Sequence, residues 1–252
     1  MTIVVPLSEH EPWRSILDAS IELASLLPGR LEIRLADSHP AFERQVRDYV
    51  GATTVSRRAT ASVPISVTGR DIPDAHHKPD SVLVLSSITQ SDETHSAVLD
   101  HLAQWDGPVF LVPGGPEHSH RSYADRVIVV APETSNFDSI EPWATLIAAS
   151  AHTHIVLLTA IAPESARNGS DLGKRVTAAH QRLGEKADQL RKGGTRTTWE
   201  VRVGDPAIEV ARLAETTGTS LILTPKPAGD GPEKRLVARL IDQSDLHILL
   251  TT

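Results

Sequence analysis

Lys226 lies close to Gly229, Asp230 and Gly231, just beyond the apolar run Leu221-Ile222-Leu223. A basic side chain beside flexible glycines at the carboxyl end of a strand can hold an anion. The same Gly-Asp-Gly-Pro stretch is also ordinary turn chemistry, and Asp230 would repel a phosphate. The histidines offer a second chemistry. His118-x-His120 and His152-x-His154 have the spacing that puts two imidazoles on one strand face, and His76-His77 sits between Pro73 and Pro79. A zinc site needs three or four converging ligands, whereas the 12 histidines are scattered among turns and helix ends. Solvated or structural roles are expected for them, and no metal site is assigned. Trp13 and Trp143 have the size to floor a ligand pocket, but at the first turn of an amphipathic helix their expected role is to anchor that helix to a sheet.

Motifs for catalysis are missing. The chain has no G-x-S-x-G elbow, no G-x-x-x-x-G-K-[ST] loop, no G-x-G-x-x-G after a strand and no H-E-x-x-H helix. Scattered Ser, His and Asp residues have no spacing that favours a triad, so a non-enzymatic role is expected. There is no cysteine, which removes disulfides, thiolate metal sites and cysteine nucleophiles and is compatible with a reducing interior. The net charge of -7 argues against nucleic acid as a partner, because phosphate neutralisation needs clustered Lys and Arg. No segment approaches the roughly 18 apolar residues of a membrane span. Met1 runs directly into a strand without the pattern of a secretory signal. Together these features point to a cytoplasmic location.

The elements that position these residues occur twice. Thr2-Ile3-Val4-Val5-Pro6 and Arg126-Val127-Ile128-Val129-Val130 are short β-branched runs, each followed by Glu-Pro-Trp, at Glu11–Trp13 and Glu141–Trp143. Ser81–Leu85 matches Ser220–Thr224, and Val109–Val112 matches His247–Leu250, at an offset of roughly 125 to 140 residues, one domain's length. Short apolar strands alternating with helices imply a parallel sheet covered on both faces. The fold class is therefore α/β, with two tandem doubly wound, Rossmann-like domains, each a mainly parallel five-stranded sheet. The first domain spans 1–113 and the second 125–252, and residues 114–124, rich in Pro, Gly and polar side chains, form a linker. In the first domain the third helix is replaced by a short crossover over 69–79. Helices are expected near 12–27, 41–50, 91–105, 139–150, 171–191, 205–217 and 232–242.

One segment is especially legible. In Gly204-Asp205-Pro206-Ala207, Asp205 can accept the free amides of a helix's first turn while Pro206 gives up an N–H that would have no partner. Ala207, Val210, Ala211 and Ala214 then form an apolar stripe. This stretch, with the strand after it, resembles the third helix and fourth strand of the universal stress protein family, and the tandem resemblance covers nearly the whole chain. The resemblance implies a nucleotide site: in ATP-binding members an Asp directly after the first strand meets adenine, and a G-x2-G-x9-G-[ST] loop after the fourth strand cradles ribose and phosphates. Here those first-strand positions hold Pro6 or Leu7 and Ala131 or Pro132. The second-half loop, from Thr224 through Lys226, Gly229 and Gly231, is short, interrupted by Pro225, Pro227 and Pro232, and has Lys234-Arg235 where the final Gly-[ST] pair would fall. The first-half loop aligns Ser96 with the family's Ser but contains no glycine. Thr224, Lys226, Gly229, Gly231 and Ser96 are thus remnant positions of a degenerate site, with no cofactor expected and ATP as the alternative. The resemblance further implies that the final strands of the two domains pair within the chain, and that tandem chains associate as homodimers. It names no protein partner.

Overall fold

The computed structural model describes residues 1–9, 12–35, 39–56, 65–68, 81–86, 105–113, 123, 125–133, 137–151, 153–166, 168–227, 231–243 and 245–252. The crossover over 69–79, most of the helix expected near 91–105, nearly all of the linker, Ser96, Gly229, His76, His77, His118, His120 and His152 lie outside the described residues.

The strands are β1 (Thr2–Leu7), β2 (Arg30–Leu35), β3 (Ile65–Thr68), β4 (Ser81–Ser86), β5 (Val109–Val112), β6 (Arg126–Val130), β7 (His154–Ile161), β8 (Thr197–Val203), β9 (Leu221–Pro225) and β10 (His247–Thr251). The helices are α1 (Trp13–Leu26), α2 (Pro40–Ser56), α3 (Glu141–Ala151), α4 (Gly169–Lys192), α5 (Pro206–Thr217) and α6 (Pro232–Gln243). All ten strands form one sheet in the order β3-β2-β1-β4-β5-β10-β9-β6-β7-β8. Within each half the pairing is parallel and the order is third-second-first-fourth-fifth. The halves meet where β5 and β10 pair antiparallel, with Phe110 opposite Leu249 and Leu111 opposite Ile248.

Period-two alternation decides which face each side chain takes. Val127, Val129, Leu221, Leu223, Phe110 and Leu249 point into a core that α1 to α4 cover and that runs through both halves. Ile128, Val130, Ile222, Leu111, Ile248 and Leu250 point into a second core under α5 and α6. Because both faces are buried, the central strands read as continuous apolar runs.

Local signals explain most helix ends. Asp205 caps α5, accepting from the amides of Ala207 at 3.1 Å and Ile208 at 3.3 Å. Gly218 closes the same helix at φ +67°, a left-handed conformation that suits a residue without Cβ. Asn168 caps α4 through the Asp171 amide at 2.9 Å. Two sequence expectations need correction. The buried stripe of α5 is Ala207, Val210, Leu213 and Ala214, with Ala211 only half-buried, because the sheet reaches around to the larger leucine. Helix α2 runs on to Ser56, past Gly51, as packing outweighs a single glycine's cost. Trp13 packs against the core under α1 to α4 and also ties α1 to α2 by edge-on contacts with Phe42 at 5.8 Å and Tyr49 at 5.4 Å.

Leu111 and Leu249 are fully buried on opposite faces of the seam between the halves. Replacing both with lysine should place two charges without partners at this seam and part the sheet there. The expected outcome is an expanded small-angle scattering profile and increased dye binding to apolar surface; an unchanged, compact profile from the soluble double variant would overturn the expectation.

Candidate functional site

Doubly wound sheets offer a crevice at the carboxyl ends of the strands, where the chain switches from building outward on one side to the other. In the second half this switch lies between β6 and β9, which pair directly. A cleft of about 490 Å³ opens there. Its walls come from Val130 to Glu133 after β6, from Ala160, Ala162 and Glu164 at the end of β7, and from the first turns of α5 and α6.

Charge sets the character of the cleft. Four carboxylates, on Glu133, Glu164, Asp205 and Glu233, share the lining with the guanidiniums of Arg175, Arg235 and Arg239. Arg175 grips Glu133 as a fork, with Nε 2.6 Å from one carboxylate oxygen and Nη2 on the other. Arg182 donates to the Glu133 carbonyl oxygen and lies 3.5 Å from the Thr159 hydroxyl, which itself donates to the Ala131 carbonyl at 2.8 Å. The hydrogen bond from Arg175, aided by the charges of Arg175 and Arg182, holds the Glu133 carboxyl below its ordinary pKa of 4.5 against an opposing contribution from burial. Arg239 pairs with Asp205, so the α5 cap and the second turn of α6 are clamped together across the cleft. Two of the three guanidiniums are thereby committed to carboxylates.

Of the loop residues singled out in the sequence, Arg235 lines this cleft, whereas Thr224, Lys226 and Gly231 do not. Thr224 is buried in β9, in register with Leu250 of β10. Lys226 turns to the other half of the chain: its ammonium donates to the Trp105 carbonyl, and its amide donates to the Thr251 carbonyl at 2.7 Å. Burial holds the Lys226 pKa below 10.5, with Asp106 opposing the shift. Gly231 stands just before α6, where its carbonyl accepts the Arg235 amide at 3.4 Å. Sequence reasoning missed Glu133, Arg175 and Arg239. Glu133 had a local signal, standing one residue past Pro132 at the carboxyl end of β6; the arginines had none, being 42 and 34 residues from their partners. Among the described residues, no group of three or more His, Asp or Glu converges as a metal site, and no helix is long and apolar enough to cross a membrane.

This architecture is that of a doubly wound α/β protein with a crevice at its strand ends. Set against known proteins, the sequence matches no family model and no curated protein. Solved structures match it over its whole length. A universal stress protein from Archaeoglobus fulgidus DSM 4304 superposes with a TM-score of 0.60 at 11% identity, covering 99% of this chain and 95% of that one. A functionally unknown protein from Pseudomonas aeruginosa PAO1 gives 0.65 at 11% identity, with 99% and 91% covered. The cytoplasmic domain of a prokaryotic cation chloride cotransporter gives 0.60 at 12% identity, with 99% and 94% covered. The chain therefore has the fold of universal stress proteins.

Because folding lowers the Glu133 pKa, this carboxylate adds stability above its ordinary titration range, and that stability is lost as the pH falls through the lower, folded-state pKa. Glu133→Gln should lower Tm at neutral pH, and the gap from the parent should close as acid protonates the parent carboxylate. Paired thermal melts between neutral and strongly acidic pH check this; a gap that stays constant with pH would show that the Arg175 pair does not contribute.

Proposed function

We propose that this chain is a tandem, two-domain protein of the universal stress type that no longer binds ATP and works in the cytoplasm as a non-catalytic binding or scaffolding protein in stress responses. The observation that carries this reading is the charge arrangement of the second-half cleft. A triphosphate needs several amides or cations converging on it. Here Arg175 and Arg239 are already paired with Glu133 and Asp205, and Glu164 and Glu233 also line the wall. Where the family's adenine-facing carboxylate would stand, the chain carries Ala131 and Pro132, and the nearest acid, Glu133, is occupied by Arg175. Lys226, the basic residue of the loop remnant, is turned to Trp105. Arg235 is left as the guanidinium of the cleft lining without an ion pair among the described residues, and an exposed charge pair is worth only about 0–1 kcal/mol.

The cleft itself favours a second reading. Its volume, about 490 Å³, lies in the range of small-molecule sites, so the remodelled pocket is suited to another small ligand. The fold does not choose between these readings, since it also serves as the cytoplasmic domain of a cation transporter.

Titration calorimetry of ligand-stripped protein with Mg-ATP is expected to show no saturable binding tighter than about ten micromolar, an affinity that would require roughly 7 kcal/mol from the site. Binding below that value would overturn the first reading. Native mass spectrometry of the freshly purified chain tests the second, through the mass of any small molecule carried with it.

A further inference from the structure

A second charged cluster lies at the opposite end of the strands from the cleft. Arg126, His154 and Arg196 stand side by side across the amino ends of three neighbouring strands. Arg126 is in register with His154, and the Ile155 amide donates to the Arg196 carbonyl at 2.8 Å, which places Arg196 on the other side of His154. All three project from the sheet face covered by α5. Ile128 and Val156, two residues beyond Arg126 and His154, pack into the core under α5 and α6. Thr198, two residues beyond Arg196, holds the His154 Nε2 at 2.9 Å through its hydroxyl. Strands in a sheet lie about 4.8 Å apart, so the three basic side chains arise within about 10 Å of one another along the sheet.

Such a gathering carries an electrostatic cost. The charges that act on His154 are those of Arg126 and Arg196, both positive, and with burial they push its pKa below 6.5. Among the described residues neither arginine forms an ion pair. Acidic side chains outnumber basic ones in the sequence by 32 to 25, so carboxylates are not scarce in this chain. Arg126 has a structural partner, donating to the Thr217 carbonyl at 3.1 Å where α5 ends. That bond accounts for Arg126, and the Thr198 hydroxyl occupies one nitrogen of His154. Arg196 is exposed and the other two are half-buried, so the row is open to solvent. Two guanidiniums and an imidazole that gains a proton when an anion arrives match the several acceptor oxygens of a doubly charged oxyanion.

We propose that the row Arg126–His154–Arg196 is an oxyanion site that takes a phosphate monoester, carried either by a free small molecule or by a phosphorylated side chain of a partner protein. It is separate from the cleft at the carboxyl ends of the strands and does not depend on what that cleft binds. The bound dianion supplies counter-charge to the row, and the Thr198 hydroxyl holds the imidazole in place.

The test is an NMR titration of the His154 imidazole in the full chain, with inorganic phosphate against chloride at matched ionic strength. Saturable shifts with phosphate and a higher His154 pKa than in chloride are expected. Arg196→Ala changes an exposed side chain. In chloride it should raise the His154 pKa, because a like charge is gone; with phosphate it should weaken binding by about fivefold, the scale of one exposed charge pair. A phosphoserine peptide that binds more tightly than inorganic phosphate would assign the site to a protein-borne group, and equal or weaker binding would assign it to free phosphate esters. No response beyond that to chloride, or a response unchanged in Arg196→Ala, would overturn the proposal.

Discussion

The antiparallel pairing of β5 with β10 is the constraint on which the rest of the molecule depends. Every residue of β5 is buried, and so are Ile248, Leu249 and Leu250 of β10. Either strand alone would be a bare apolar edge, the kind of surface that recruits other chains. Paired, each satisfies the other's amides and carbonyls, and the two sheets become one of ten strands whose remaining edges are β3 and β8. On the face towards α5, β8 carries Thr198, Glu200 and Arg202, with Arg202 paired to Glu200 at 2.8 Å. Charges on an edge strand discourage further pairing, so the apolar strands meet at the seam while β8 presents charged side chains at its edge.

The seam also brings residues distant in sequence onto shared faces. The core under α1 to α4 runs without interruption from Ile3 and Leu31 to Ile155 and Leu157, and α1 packs directly against α3. Nearly every turn of α1 is therefore buried, including Ser20, which satisfies its hydroxyl on the Ile16 carbonyl at 2.6 Å. Tyr123 is fixed across the junction: its amide donates to Glu22 at 2.6 Å, and its ring meets Phe110 and His247. Lys226 adds a polar tie on the opposite face, from the end of β9 to Trp105 ahead of β5.

How much of this could be read in the sequence follows from the range of the interactions. Strand positions were legible to within a residue or two, because fully buried strands write themselves as unbroken Val, Ile and Leu runs. Helix α5 was legible because its signals are local: Asp205, Pro206 and Gly218 each act within a few residues. The error within that helix, Ala211 in place of Leu213, came from treating small residues as the buried face when the neighbouring sheet has room for a leucine. The candidate site was barely legible. A resemblance directed attention to the loop after β9, whereas the polar contacts of the cleft join Glu133 to Arg175 and Asp205 to Arg239 through folding alone. Arginines that pair over tens of residues look, in a sequence, like any other charge on an exposed helix face.

The position of α6 ties the cleft to the seam. Its first two turns supply Glu233, Arg235, Leu236 and Arg239 to the cleft wall, and only a few residues after its end the chain enters β10. Because β10 is hydrogen-bonded to β9 on one side and β5 on the other, the far end of α6 has little freedom to move. Its near end is held by Arg239 on the α5 cap. A ligand that needed the cleft to widen would have to break that ion pair or disturb the central strands, and interiors packed on both faces resist such displacement. A ligand that fits between the existing ion pairs meets a wall already set in place, at little cost in reorganisation. The geometry of the cleft is thus fixed by the same strands that join the two halves.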